Sequence, residues 1–526
     1  FRTFSRFNGR SVAGDYRRMD RTEAARSRPS NGCGEVIMVR LSNATLGQVR
    51  AGVETPRYDR SQVTTGIVHF GVGGFHRAHM AMALDDLMNE GKALDWGICG
   101  VGLMEFDRKM KDALQGQDCL YTLTLKHPDG RRDARVIGSI VEYLFAPDDA
   151  EAVIEKMADP NTKIVSLTIT EGGYNFDRVT GEFDASNATV AGDLADGATP
   201  KTAFGFVTEA LRRRRDRGIE PFTVLSCDNI QGNGDIAKKM FLAFAQLKDA
   251  NLSAWIDANV AFPNSMVDRI TPVTSAEDIA EAEEKLGLAD AWPVVAEPFF
   301  QWVIEDHFTL GRPNFDEVGV QFVEDVEPYE LMKLRLLNAS HQGLTYFGYL
   351  SGYRFAHEAV SDPAIAGFLL KYMDNEATPT LRPVPGIDLD AYKHMLIERF
   401  SNPEVRDTLA RLCAESSDRI PKWLVPVIRE QLARGGDVTR SAAIVASWAR
   451  YAEGIDEEGN EIVVVDPLKD QLVPIAKSQR SNPLAFIQNE SLFGDLAKNE
   501  TFSTAYLAAL KSLFENGAHK TVQALA

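Results

Sequence analysis

Thr65-Gly-Ile-Val-His-Phe-Gly-Val-Gly-Gly-Phe75 decides the fold class. Ile67, Val68 and Phe70 belong to a short apolar run, which reads as a buried strand, and the glycines after it read as a tight turn. From 76 to 88, Met80, Leu84 and Leu87 recur at helical spacing. Strand, glycine turn and helix form the opening unit of a dinucleotide-binding sheet. Gly71 permits the turn, and Gly73 lets backbone amides approach a pyrophosphate at the helix start. The usual pattern asks for a third small residue where this chain carries His76. A close-packed corner without a ligand is the other reading of the same glycines.

Outward from that unit, strands and helices alternate. Trp96-Gly-Ile-Cys-Gly-Val-Gly102 is a second short strand, ending near Glu105 and Asp107, with a helix after it. Asp107 can accept hydrogen bonds from ribose hydroxyls and would repel a 2′-phosphate, favouring NAD over NADP. It is equally placed to cap the following helix. Further strands are expected over 136–144, 163–170 and 222–226, with a helix over 202–215, and Asp228-Asn229 follows the last strand. Past about 326, helical patterns cover 329–350, 357–373, 389–414, 421–434, 439–453 and 504–515. The fold class is therefore α/β. An N-terminal Rossmann-like, doubly wound parallel sheet over 38–325 is followed by a mainly α-helical C-terminal domain over 326–526. A chain of 526 residues exceeds one ordinary core, and a cleft between two such domains is a common place for a substrate.

The formal net charge of −18 argues against nucleic acid or an anionic membrane as the main partner. No apolar run approaches the ~20 residues that span a bilayer. Cys33, Cys99, Cys119, Cys227 and Cys413 are widely spaced, with no C-x-x-C, as expected of a reduced, cytoplasmic chain. His76 and His79 lie three apart, but no third ligand is near them, so no metal site is expected. Residues 1–37 differ from the rest, with eight Arg against four acids and little periodicity. They read as a disordered upstream extension, with Met38 as the native start.

Pro328-Tyr-Glu-Leu-Met-Lys-Leu-Arg-Leu-Leu-Asn-Ala-Ser-His-Gln-Gly343 places a base, an amide and an imidazole among leucines. On a regular helix Lys333, Asn338 and His341 share an arc of about 140°. A lysine on that face would be desolvated, which lowers its pKa towards what a neutral-pH general base needs. An exposed lysine beside a satisfied core asparagine and histidine is the alternative.

Several longer segments, in order, resemble the polyol-specific long-chain dehydrogenase/reductase family. They are Gly66-Ile-Val-His-Phe-Gly-Val-Gly-Gly-Phe-His-Arg-Ala-His79, Trp96-Gly-Ile-Cys-Gly-Val-Gly-Leu103, Val165-Ser-Leu-Thr-Ile-Thr-Glu-Gly-Gly-Tyr174, Ser226-Cys-Asp-Asn229, Pro263-Asn-Ser-Met-Val-Asp-Arg-Ile-Thr-Pro272 and Glu297-Pro-Phe-Phe-Gln-Trp302. The K-x4-N-x2-H spacing at Lys333, Asn338 and His341 is similar to the family's catalytic signature. The resemblance covers 38–526 and implies a metal-independent, NAD-linked interconversion of a polyol and a ketose, with D-mannitol and D-fructose as the pair. Hexuronate reduction and D-arabinitol oxidation are the alternatives within the family, and a non-catalytic NAD-binding sensor is the alternative outside it. By resemblance, Lys333 is the general base in oxidation and the general acid in reduction. Asn229 and Asn338 polarise the reacting oxygen, and His341 holds a neighbouring hydroxyl. Asp268 and Arg411 bind further hydroxyls, for which a domain–domain salt bridge is the competing reading. Glu330 exchanges protons between the lysine and water, or is simply a first-turn helix acid. The cofactor is expected at Phe70, Gly71, Val72, Gly73, Gly74, Phe75, His76, Asp107 and Glu171. Family members of this length are often monomeric, so a monomer is expected.

Overall fold

The run at 65–70 forms strand β1 (Thr65–Phe70), buried at every residue after the first. It stands at the centre of a parallel sheet, where both faces are covered and a continuous apolar run is what the position needs. The computed structural model describes residues 38–177 and 180–526; the extension expected over 1–37 lies outside the described residues. The remaining strands are β2 (Gly97–Gly102), β3 (Tyr121–Lys126), β4 (Arg132–Ile137), β5 (Ile140–Phe145), β6 (Ile164–Leu167), β7 (Thr223–Ser226), β8 (Ser265–Asp268), β9 (Val294–Ala296), β10 (Gln301–Glu305) and β11 (Gln321–Val323).

The main sheet has the order β5-β2-β1-β6-β7 and is parallel throughout. The chain winds outward from β1 through β2 to β5, then returns beside β1 and winds the other way, the Rossmann order. The reversal lies between β1 and β6, where Phe70 pairs with Leu167. The glycine turn after β1 and Thr168 after β6 therefore meet at the point where such sheets bind ligands. Two three-stranded sheets flank this one, β4-β3-β9 and β11-β10-β8. Antiparallel pairing of β8 with β10 sets Asp268 opposite Gln301.

Beyond β11 the chain is helical. Glu327–Met332, Lys333–Asn338 and Ala339–Leu350 form one continuous helical rod at the centre of the C-terminal domain. Ala339–Leu350 is buried nearly all round, as a core helix must be. Thr439–Tyr451 packs against both it and Glu500–Asn516.

Several expected elements are interrupted, each for a local reason. The rod expected at 329–350 is not uniformly α-helical: Lys333–Asn338 is a π-helical turn. The strand expected at 136–144 is two strands, β4 and β5. Between them the Gly138 amide donates to Asp85 Oδ1 at 2.9 Å and Ser139 Oγ to the Ala81 carbonyl at 2.6 Å, drawing the backbone out of the ladder. The helix expected from 76 divides into Gly74–Ala78 and Met80–Asn89 at His79, whose φ and ψ are −125° and −95°. The helix expected at 389–414 is Leu389–Phe400 and Leu409–Cys413, because Pro403 cannot continue it. Likewise 357–373 divides into Ala356–Val360 and Pro363–Tyr372, the second capped by Asp362 with Pro363 in its first turn. Helices Lys469–Ser478 and Ala518–Leu525 are not among the expected elements. Among the described residues no helix is long and apolar enough to cross a membrane.

Gly71 has φ +91°, and a Cβ there would lie 2.0 Å from the Thr168 carbonyl oxygen; one at Gly73 meets nothing nearer than 3.8 Å. Gly71→Ala is therefore expected to cost more than about 1 kcal/mol of stability. Gly73→Ala should stay within about 0.5 kcal/mol of the parent. Thermal unfolding of the two variants checks this, and equal losses would contradict it.

Candidate active site

The ends of β1, β6, β7 and β8 face the central rod across a cleft of about 580 Å³. Its walls carry Gly71, Gly73, Gly74, Phe75 and His76 from the turn. They also carry Asn229, Asp268, Lys333, Asn338, His341 and Arg411, which the sequence had singled out. Residues drawn from five separate segments thus converge on one space.

Lys333 is buried, and its Nζ lies 2.6 Å from Asn229 Oδ1 and 2.7 Å from the Val267 carbonyl oxygen. Both partners are acceptors. A neutral amine satisfies them with its two N–H bonds and keeps its lone pair for a third direction. Burial is the largest influence on Lys333; Asp268 and Glu330 oppose it and Arg399 assists it, and the net result is a pKa below the ordinary lysine value.

The π-helical turn sets the spacing of the other groups. The Ala339 amide donates to the Leu334 carbonyl, five residues back. A turn closed by i→i+5 bonding brings residues five apart onto one side. Lys333 and Asn338 are five apart, so the widened turn draws them closer in direction than a regular helix would. Asn338 Oδ1 is buried without a protein hydrogen-bond partner, leaving that side of its amide available to a bound molecule. Asn229, by contrast, is exposed. His341 tilts against Phe400 with ring centroids 4.3 Å apart, and burial lowers its pKa to about 4, so the ring is neutral.

Glu330 sits one turn before Lys333. Its carboxylate accepts from the Gly232 amide at 3.0 and 3.2 Å. Burial outweighs that bond and raises its pKa to about 7. Glu330 and Lys333 also line a narrow recess of about 20 Å³ outside the main cleft. That is room for roughly one water.

Asp268 and Arg411 do not pair with each other. Arg411 donates to Asp407 at 2.7 and 2.5 Å within its own segment. Asp268 accepts both bonds of a fork from Arg399, at 2.7 and 3.1 Å. Burial pushes the Asp268 carboxyl up, but Arg399 outweighs it and holds the group below the usual carboxylate range.

Around the turn, Phe70 is buried beside Phe206, Val72 is buried against β2, and Phe75 stacks on His79. His76, in the place of the expected small residue, stacks on His69 with centroids 3.4 Å apart and planes 11° apart. The fit to a dinucleotide rests on Gly73: a side chain there would project into space that no protein atom occupies within 3.8 Å. Asp107 uses Oδ2 to accept from the Leu103 and Met104 amides at 3.0 and 2.8 Å, so its local turn role is visible. Glu171 accepts from Lys422 Nζ at 3.3 Å, across from the helical domain.

Two site groups had no role assigned from the sequence. Arg399 binds partners 131 and 102 residues away, and no local spacing announces it. Asp228 accepts from the Ile169 and Thr170 amides at 3.1 and 2.8 Å and from the Tyr174 hydroxyl at 2.8 Å. It thereby holds Thr170, a β-branched residue at φ +63°, beside the cleft. Its position next to Asn229, at the end of a buried strand, was the available signal.

Comparison with known proteins accounts for both halves. The mannitol dehydrogenase Rossmann domain model matches residues 65–317, and the mannitol dehydrogenase C-terminal domain model matches 325–514. The chain belongs to the mannitol dehydrogenase family. Within it, a mannitol 2-dehydrogenase of Phaeosphaeria nodorum is 46% identical over 93% of this chain and 86% of its own length. A solved mannitol 2-dehydrogenase of Pseudomonas fluorescens, in ternary complex with NAD and D-mannitol, is 47% identical, covers 93% of this chain and 99% of its own, and superposes with a TM-score of 0.84. A D-sorbitol dehydrogenase in substrate-free form is 39% identical, covers 92% of this chain and 100% of its own, with a TM-score of 0.85. The family's two matched regions meet at the cleft described above. Among the described residues no group of three or more His, Cys, Asp or Glu is arranged to hold a metal ion.

The Glu330 pKa, about 7 when folded against about 4.3 when unfolded, ties stability to pH. A raised pKa contributes stability below the unfolded value, and that contribution is lost as pH rises through the folded value. Glu330→Gln keeps an acceptor for Gly232 and removes the buried charge. It should therefore unfold at a higher temperature than the parent at pH 8, by a margin of order 2 kcal/mol. The margin should be markedly smaller at pH 5. Melting curves at both pH values test this, and a margin independent of pH would contradict it.

Proposed function

We propose that this chain is an NAD-dependent polyol dehydrogenase that interconverts D-mannitol and D-fructose. The observation that carries the reading is Lys333: a buried amine with two acceptors engaged and one direction open, in the family's cleft. NAD⁺, when bound, supplies the hydride acceptor. Phe70, Gly71, Val72, Gly73, Gly74, Phe75 and His76 hold its pyrophosphate end, with Asp107 and Glu171 completing the cofactor site. A carboxylate at 107 favours NAD over NADP.

Lys333 takes the hydroxyl proton during oxidation and returns it during reduction. Because Asn229 Oδ1 accepts from Lys333, its amide N–H bonds are left for the substrate oxygen. Asn338 supplies a second amide there. A donor aimed at a developing alkoxide is typically worth ~2.7–4 kcal/mol. His341, Asp268 and Arg411 hold the remaining hydroxyls. Glu330, with a pKa near neutrality and a water-sized recess beside it, relays the proton between Lys333 and solvent.

The proposal extends to a two-domain division at about 325, supported by the boundaries of the two family matches. It also extends to a monomer in the cytoplasm. The free, buried thiols of Cys99, Cys119, Cys227 and Cys413 support a reducing compartment.

A panel of D-mannitol, D-sorbitol, D-arabinitol, D-fructose and fructuronate with both nicotinamide cofactors, followed by NADH absorbance, tests the function. D-mannitol and D-fructose with NAD(H) are expected to give the highest kcat/KM, and a preference for any other pair would overturn the substrate assignment. Lys333→Ala is expected to lose at least roughly 10²-fold in kcat with NADH affinity intact. In the parent, kcat/KM for oxidation should rise with pH along a limb below the ordinary lysine value of ~10.4, because only the neutral amine accepts a proton.

A further inference from the structure

Arg399 is a heavily engaged charge near the cleft, and the reading above gives it no work. It lies on Leu389–Phe400 of the helical domain, while both of its carboxylate partners belong to the sheet side. Its Nη1 and Nη2 donate to Asp268 at 2.7 and 3.1 Å, and its Nε and Nη2 donate to Glu297 at 3.0 and 2.7 Å. Its guanidinium carbon sits 3.8 Å from the Phe299 ring centroid. Four of the five guanidinium N–H bonds are thus committed to two buried carboxylates. Glu297 in turn accepts from the Ile270 amide at 2.6 Å, so the same network ties down the backbone just after Asp268.

We propose that Arg399 is a positioning residue for substrate: its planar fork fixes the Asp268 carboxylate towards the cleft, and its charge offsets the carboxylates beside Lys333. The proposal rests on the polyol dehydrogenase reading and names a determinant of that same site.

Two separable properties follow. The first is geometric. A carboxylate gripped on both oxygens has one orientation, and its remaining lone pairs point where hydroxyl donors can meet them. A lysine at 399 keeps the charge but presents a point donor instead of a planar fork. The second is electrostatic. Lys333 is faced by Asp268 from β8, by Arg399 from Leu389–Phe400, by Glu330 one turn back, and by His79 at the break between the first two helices. Burial lowers the Lys333 pKa first; Asp268 raises it, Arg399 lowers it, and Glu330 raises it. Removing the Arg399 charge leaves the carboxylates less compensated, which favours the ammonium form and moves proton abstraction to higher pH.

Arg399→Lys and Arg399→Met separate these properties. The assay is polyol oxidation across pH, with NADH affinity measured by fluorescence titration as a control on the fold. Arg399→Lys is expected to raise the polyol KM at least roughly tenfold. Its NADH affinity and the position of its pH limb should match the parent. Arg399→Met is expected to raise KM and also move the oxidation limb alkaline by roughly one pH unit. A parental polyol KM in Arg399→Lys would overturn the positioning role. So would a KM increase accompanied by an equal loss of NADH affinity. If Arg399→Met binds no NADH and has not folded, the KM of Arg399→Lys decides alone. A parent enzyme that oxidises no polyol would contradict the function itself, whereas an active parent with indifferent Arg399 variants would contradict only this inference.

Discussion

An amine withdrawn from water but not from hydrogen bonding is the arrangement on which the rest of the site depends. Burying a lysine disfavours its charge, and without partners the side chain would turn outward or leave its N–H bonds unmade. Here the two acceptors come from the ends of different strands, Asn229 after β7 and Val267 in β8. The lysine itself comes from the helical rod. Lys333 therefore meets both acceptors only when the rod is seated against the sheet. The two halves have to be built together for this arrangement to form.

The fold was largely legible because its signals are local. A buried central strand needs an apolar run, and a tight turn needs a left-handed glycine; Gly71, at φ +91° against Thr168, meets that need. What was illegible depends on contacts between distant segments. The break between β4 and β5 depends on Asp85 receiving the Gly138 amide, 53 residues away. Nothing in Lys333-Leu-Arg-Leu-Leu-Asn338 identifies a π-turn, since every residue before Asn338 is a good α-helix former. The spacing K-x4-N nevertheless becomes intelligible once the turn is seen, because five residues then complete about one revolution. Lys333, Asn338 and His341 could be listed from the sequence. Arg399 could not, since it reads as one more charge on an amphipathic helix.

His76 shows how a departure from a motif is absorbed. The third small residue of the dinucleotide turn normally allows the helix to pack closely on its strand. In this chain two rings fill that space as a stacked slab, His76 on His69. Both have pKa values driven down by burial, so neither brings charge into the corner. His69 spends its nitrogens on Ser166 at 2.8 Å and Thr168 at 3.0 Å. Thr168 in turn donates to the Gly71 carbonyl at 2.7 Å. The stack thus fixes the end of β6 against the glycine turn, and the rigidity usually supplied by close backbone packing is supplied by rings and hydroxyls.

The same accounting of partners bears on which substrate class suits the cleft. A hexuronate brings a carboxylate and needs a cation to meet it. Arg411 is already forked onto Asp407, and Arg399 onto Asp268 and Glu297. Withdrawing Arg399 would leave a carboxylate unpaired in the interior, which is strongly unfavourable. A polyol makes no such demand. Its hydroxyls can donate to carboxylate lone pairs that the arginines leave open and accept from amides the protein has not used. Asp268 and Asp407, each forked by an arginine and with lone pairs to spare, suit an uncharged chain of hydroxyl groups. That match follows from how Arg399 and Arg411 are committed.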